Sequence, residues 1–300
     1  MADVQINGHR PWDIRVRDAR SYKSLVNGGS LALGESSVDG WWECQALDLF
    51  FDRILRLRLD RQARHSPLSF WLDVKSVIKL STGWFQAFAI GHRHYDIGND
   101  LFSLMLDRWM NYSCAYWRKA RDLDQAQEDK MALICLMDYK NLESRFDRIV
   151  SVGMFEHVGV GAYSLFMKTV VRSLESGGLF LLHTIGGNHT RRSSDPWISR
   201  YIFPNSMIPS TKQISSAAEP YLMIEDWHSF GPDYDPTLMA WYRNFSKNWD
   251  KIKSRYGRRF FRMWTYYLLA CAGSFRARRN QLWQVVFSKN GFFPGYDSVR

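Results

Sequence analysis

The chain has 300 residues, enough for one large domain or a large domain with a small companion, and its 46% hydrophobic content can fill a sizeable core. A formal charge of +10 favours anionic partners, and between Asp250 and Arg300 eleven Lys/Arg stand against two Asp/Glu. Four cysteines (Cys44, Cys114, Cys135, Cys271), with no CxxC spacing and no matched histidine pairs, argue against a metal site and a disulfide framework.

The start, Met1-Ala-Asp-Val-Gln-Ile6, has neither the basic nor the apolar region of a signal peptide. The most apolar stretch, Trp264 to Gly273, is about half the length that spans a bilayer. A cytoplasmic protein that rests at most on a membrane surface is expected.

In chain order, Pro11-Trp-Asp-Ile-Arg-Val16 alternates like a strand, with Gly28-Gly29 and Gly34 as turn signals. Leu47, Phe50, Phe51, Ile54 and Leu55 recur at helical spacing. Residues 60–92 read as a connector. A larger domain opens near His94, where Asp96 and Asn99 suit helix caps ahead of Leu101, Phe102, Met105 and Leu106.

Asp147-Arg-Ile-Val-Ser-Val152 is a β-rich run. A helix with Tyr163, Phe166, Val170, Val171 and Leu174 on one side follows, then Gly177-Gly178 as its stop and Leu179-Phe-Leu-Leu182 as the next strand. Strand, helix, strand in this order predicts a parallel α/β sheet. Two long helices come next, one carrying Leu238, Trp241, Tyr242, Phe245, Trp249 and Ile252, the other Trp264, Tyr267, Leu268, Cys271 and Phe275. Gln281–Phe287 closes as a strand.

Four segments stand apart from this general pattern: Asn111-Tyr-Ser-Cys-Ala-Tyr-Trp117, Gly153-Met-Phe-Glu-His-Val-Gly159, Leu181-Leu-His-Thr-Ile-Gly186 and Leu269-Ala-Cys-Ala-Gly273. Taken singly, each has an ordinary structural reading. Cys114 and Cys271 fit apolar packing, Glu156 and His157 sit where a helix is capped, His183 ends a strand, and Tyr234 lies in a turn-like Pro232-Asp-Tyr-Asp235. Together and in this order they resemble the active-site blocks of the cyclopropane-fatty-acyl-phospholipid synthases. The resemblance runs from Ile6-Asn-Gly8 to Ser288.

That resemblance implies a class I methyltransferase (Rossmann-like) α/β sheet with a small N-terminal α+β domain. The implied domains are residues 1–80, an accessory domain and connector, and residues 81–300, the catalytic domain. It implies transfer of a methylene from S-adenosylmethionine to the cis double bond of an unsaturated phospholipid acyl chain. The resemblance places Cys271, Glu156, His183, Cys114 and Tyr234 at catalytic positions. Cys114, Glu156, His183, Ile185 and Tyr234 fall where the family holds a bicarbonate. Tyr112, Ser113 and Tyr139 match positions around S-adenosylmethionine. The implied partner is phospholipid at the inner face of the membrane, with a homodimer compatible and nucleic acid not expected.

The chemistry explains such a set. A π bond is a weak, neutral nucleophile, so the site must align it with the methyl group and exclude water. Attack leaves a carbocation, which aromatic faces stabilise; Tyr112, Tyr116, Trp117, Phe155 and Tyr234 are candidates by position. A base then removes a proton so that the ring closes.

One part of the family pattern is missing. Between Cys135 and Asp138 the glycine-rich cofactor turn and its flanking strands should stand, on the order of sixty residues at ~30 per βαβ unit. No GxGxG occurs anywhere in the chain. The sheet is therefore expected to be truncated internally near residues 136–138, leaving the Asp147–Val152 strand without a neighbour. Two other readings are a catalytically inactive remnant that binds anionic membrane surfaces and a different class I methyltransferase acting on a small molecule. A heteroatom nucleophile needs no base of this kind, which speaks against the latter.

Overall fold

The structure, a computed structural model, describes residues 3–57, 99–108, 111–115, 117, 120–131, 145–191 and 193–298. The junction at Cys135–Asp138, Asp96, Tyr116, Tyr139 and the domain boundary near residue 80 lie outside them. Along the chain come β1 (Arg15–Val16), α1 (Arg20–Val38), β2 (Trp42–Glu43), α2 (Leu47–Arg56), α3 (Asn99–Met105) and α4 (Leu123–Met131). Next are β3 (Phe146–Val152), α5 (Phe155–Val158), α6 (Tyr163–Ser173) and β4 (Leu174–Gly186). They are followed by α7 (Pro196–Tyr201), α8 (Thr211–Ala218), β5 (Met223–Ser229), α9 (Tyr234–Arg276) and β6 (Gln281–Ser288).

These elements form two compact units, each continuous in space but not in sequence. The first comprises Met1–Gln127, Arg192–Asn205 and Pro232–Arg279, and the second Glu128–Arg191, Ser206–Gly231 and Asn280–Arg300.

In the first unit the α9 run holds the core. Leu238, Trp241, Phe245 and Ile252 are buried on its first half, and Trp264, Tyr267, Leu268 and Phe275 on its second. The two halves meet at Gly257, whose φ of 72° and ψ of 166° break the helix, so the two expected helices are present as one kinked run. Phe51 of α2 meets Tyr266 edge-on, with centroids 5.3 Å apart. The Arg276 guanidinium bridges Asp235 and Asp48 at 2.8 Å each, tying both ends of α9 to α2.

Several local expectations change here. The Pro11–Val16 strand is only the two-residue β1, paired antiparallel with β2. Gly34 is helical within α1, and Gly29 (φ 55°) marks its kink. The break signal holds at Gly29 but fails at Gly34, because α1 packs against α7 and α9, and that packing outweighs the low intrinsic helix propensity of glycine.

The second unit is a sheet of order β3-β4-β6-β5 among the described residues. β3 and β4 run parallel, as their crossover through α6 requires, whereas β6 pairs antiparallel with both β4 and β5. The sheet is thus mixed where the sequence predicts parallel pairing, and β5 was not foreseen. On one face Phe180, Leu182, Val285 and Phe287 pack beneath Phe166, Met167 and Val170 of α6 and Ile214 and Ala218 of α8. α8 starts in a capping box, Ser210 with Gln213.

The helix stop also moves. α6 ends at Ser173, and β4 begins at Leu174, already extended. Gly177-Gly178 lies inside the strand near a register shift instead of ending the helix. Among the described residues β3 pairs with β4 alone, and its Asp147 and Arg148 are exposed, whereas nearly all of β6 is buried. Among the described residues β3 is therefore at the edge of the sheet.

Candidate active site

The second unit carries the carboxylate–histidine part of the set. β3 ends at Val152, and Gly153 (φ 63°) and Gly159 (φ 80°) bracket the single turn of α5. Left-handed φ costs glycine nothing, so the chain can leave the strand, make one helical turn and leave again. Glu156 lies on that turn, 7% exposed. Its Oε1 accepts the backbone N–H of Ile185 at 2.7 Å, at the carboxyl end of β4. Its Oε2 is buried and has no hydrogen-bond partner among the described residues. Burial pushes the Glu156 carboxyl up to about 7, against the opposing pull of the Ile185 N–H.

His183 stands two residues before Ile185, on the face of β4 opposite the Phe180–Leu182 core. It is 3% exposed, with Nδ1 3.4 Å from Gln284 Nε2 and its ring edge against Phe230 at 5.6 Å. The parallel register pairs Val152 with His183. Glu156, His183 and Ile185 therefore gather at the carboxyl ends of two parallel strands, where open α/β sheets place their ligands. Phe155, a candidate for facing a cation, is instead fully buried and stacked on Tyr163 at 4.1 Å. It belongs to the core because α5 turns that side toward α6.

The first unit carries the other part. Cys114 is buried, with Sγ 3.8 Å from Thr237 Oγ1. That Thr237 oxygen accepts the Ala115 N–H at 3.2 Å and the Trp117 Nε1–H at 2.7 Å, and its hydroxyl donates to the Asp233 carbonyl at 2.8 Å. Thr237 thus pins the 114–117 segment to the start of α9. Tyr234 opens α9, where the sequence suggests a turn, and its ring lies 4.6 Å from Phe275 and 6.1 Å from Trp241.

Tyr112 stacks on Trp241 at 5.0 Å, and its hydroxyl donates to that of Tyr267 at 3.1 Å. Cys271 lies one turn along α9 from Tyr267, half-buried, and burial pushes its thiol up to about 12. At neutral pH this thiol stays protonated, so it is not a thiolate nucleophile.

Thr237, Tyr267 and Tyr163 were not singled out from sequence. The signal for Thr237 was its place four residues after Asp233 at a helix start, where a hydroxyl returns to the i−4 carbonyl. Tyr267 and Tyr163 read only as core aromatics on helical faces. Burial, with Glu156 adding to it, raises the Tyr163 phenol.

The residues present were compared with what each small molecule needs. For bicarbonate they fit, since the unpartnered Glu156 oxygen is the acceptor such a ligand would use. For S-adenosylmethionine they are incomplete. Ser113 uses its carbonyl to accept Gln127 Nε2 at 2.9 Å, and the sequence contains no glycine-rich turn.

Comparison with known proteins follows the same lines. The sequence model of the family described as mycolic acid cyclopropane synthetase matches residues 85–137 and 133–285, two segments that meet at the junction. Cyclopropane-fatty-acyl-phospholipid synthase of Escherichia coli (strain K12) is 42% identical over 353 positions, covering 96% of this chain and 91% of the relative. As 96% of 300 residues is 288, about 65 of those positions have no counterpart here.

Among solved structures, the cyclopropane synthase MmaA2 from Mycobacterium tuberculosis has a TM-score of 0.61 at 22% identity, covering 67% of this chain and 98% of that one. Mycolic acid cyclopropane synthase CmaA1, complexed with SAH and CTAB, has a TM-score of 0.60 at 24% identity, with coverage of 67% and 98%. At such identities these two show the shared methyltransferase fold. The match across nearly the whole sequence means that this chain belongs to the cyclopropane-fatty-acyl-phospholipid synthase family of S-adenosylmethionine-dependent methyltransferases.

Proposed function

We propose that this chain carries the reaction machinery for converting a cis double bond of an unsaturated phospholipid acyl chain into a cyclopropane ring. Full activity requires the segment absent between Cys135 and Asp138. S-adenosylmethionine, when bound, supplies an electrophilic methyl group.

Tyr112, Tyr234 and Trp117 provide aromatic faces for the positive charge that develops on the acyl chain. On the second unit, Glu156 and His183, with the Ile185 backbone, hold bicarbonate. Bicarbonate, when bound, supplies the base for ring closure. Cys271 lines the site as a neutral thiol. Tyr112, Ser113 and Tyr139 form one side of the cofactor site.

The observation that carries this reading is Glu156, a carboxyl group held by Ile185 and Thr184 whose Oε2 is buried with no hydrogen-bond partner among the described residues. A structural carboxylate would have both oxygens bonded, since an unsatisfied buried polar atom costs ~1–3 kcal/mol.

No helix among the described residues is long and apolar enough to cross a membrane. Access to phospholipid would come through peripheral attachment at the inner membrane face by the basic 251–262 segment. Trp264 takes no part in that contact, because it is fully buried with its Nε1 donating to Met105 Sδ at 3.0 Å.

The test is to restore the missing positions, incubate the protein with S-adenosylmethionine and vesicles of unsaturated phospholipid, and analyse the extracted acyl chains. The expected product gains one CH2 and loses its double bond to a ring. A headgroup-methylated or open-chain methyl product would overturn the assignment.

A further inference from the structure

We propose that an arginine-lined pocket in the first unit binds the phosphate of a phospholipid headgroup, a proposal that rests on the phospholipid reading above. The pocket has a volume of about 420 Å³ and is walled by Arg20, Asp39, Trp41, Arg258, Arg259 and Arg262. Four arginines and one aspartate thus line it, and Asp18 and Glu43 pair with two of the arginines from beside it.

Three of the four are held in place. Arg259 grips Asp39 Oδ1 through Nε at 3.2 Å and Nη2 at 3.0 Å, so the one acid in the pocket is already engaged. Arg20 lies over the Trp41 ring at 4.5 Å and is tethered to Asp18 at 2.6 Å. Arg262 reaches Glu43 at 3.4 Å and occupies the space over Gly40. A Cβ at Gly40, whose φ is 77°, would stand 1.5 Å from Arg262 Nη1. Any other residue there would displace the guanidinium, so the turn is shaped to seat it.

Arg258 makes no ion pair with any described residue, and it directly follows the Gly257 break that turns this stretch of α9. Ordinary surface arginines are mobile and scattered. Here three guanidiniums are fixed around one space by Asp39, Asp18 and Glu43, and Arg258 adds a positive charge that an entering anion would balance. Guanidinium forks match the oxygens of a phosphate with paired, charge-assisted hydrogen bonds. A half-buried Trp41 in the wall suits the headgroup level of a bilayer, where indole rings collect. The exposed Lys247, Lys251 and Lys253 lie on the preceding part of α9 and would meet the same anionic surface.

The experiment compares the chain with Arg258→Gln/Arg262→Gln and with a control of equal charge change, Lys247→Gln/Lys251→Gln. Single Arg258→Gln and Arg258→Lys variants are included because Arg262 also packs on Gly40. Co-sedimentation uses phosphatidylethanolamine/phosphatidylglycerol vesicles, and vesicles of equal surface charge in which oleate carries it. Titration with inorganic phosphate forms a separate arm.

On phosphatidylglycerol the pocket variant should bind about tenfold more weakly than the lysine control, a gap that shrinks on oleate vesicles. Arg258→Lys should lie between Arg258→Gln and the parent. Equal losses in the pocket and control pairs would overturn the proposal in favour of net charge alone. Tight binding of inorganic phosphate, with vesicle binding unchanged in the pocket variant, would overturn it in favour of a soluble ligand. Failure of the proposed reaction would show separately, as vesicle binding without cyclopropane product in the chain with its missing positions restored.

Discussion

Glu156 is a carboxyl group taken out of water, and among the described residues its Oε2 has no hydrogen-bond partner. Its pKa is raised from 4.5 to about 7, chiefly by burial. Because the folded value lies above the unfolded one, its contribution to stability is fully present below pH 4.5 and is lost as pH rises through about 7. At ~1.4 kcal/mol per unit, the effect amounts to a few kcal/mol.

Glu156→Gln keeps the shape and stays neutral, so above pH 7 it should melt at or above the parent temperature, with the two curves converging toward pH 5. Thermal melts across that range check this. In the chain with its missing positions restored, the same substitution should abolish cyclopropane formation. A fully active variant would remove Glu156 from the mechanism. The GMFEHVG motif made the residue visible in the sequence. Its bare oxygen was not visible, because that depends on what β4 places opposite the turn.

At the scale of elements, the family's Leu269–Gly273 block has a packing role as well as its cysteine. A Cβ on Gly273 would stand 2.5 Å from the Asp48 carbonyl oxygen and 2.9 Å from the Asp52 nitrogen, both backbone atoms of α2. Backbone cannot yield as a flexible side chain does. Gly273→Ala should therefore lower stability by about 1–3 kcal/mol despite the gain in helix propensity, as overpacking does. Urea unfolding would show it as a lower midpoint, and an unchanged or higher midpoint would mean that α2 does not approach α9 this closely.

The helical period gave both halves of α9 and the whole of α2. It could not give β5, since Met223-Ile-Glu-Asp-Trp-His-Ser229 has no clean alternation. That strand exists because β6 offers it a ladder.

For the whole molecule, the absent glycine turn bears on the cofactor site. S-adenosylmethionine needs backbone donors at a helix N-terminus and an acidic acceptor at a strand end. Losing two hydrogen bonds to charged partners forfeits roughly 1.5–3 kcal/mol each, a weakening of two or more orders of magnitude. Calorimetric titration of this chain with S-adenosylmethionine should show no saturable micromolar binding, and restoring the missing positions should return it. Saturable micromolar binding by the chain as it stands would show that the described residues and the junction already build the site.

The sequence by itself determined the family and the α/β class, and it named the candidate residues and the junction at Cys135–Asp138 where the family's cofactor turn is absent. Those follow from residue identity and order in blocks such as Gly153–Gly159 and Leu181–Gly186, which can be read without coordinates. Tertiary structure alone decided that Glu156 has one oxygen satisfied and one bare, and that Phe155 and Trp264 are core. It also decided that Thr237 anchors the 114–117 segment and that four arginines converge beside Gly40. Each of these depends on what lies across from a residue after the chain has folded, and contacts between distant segments leave no periodic trace in the sequence.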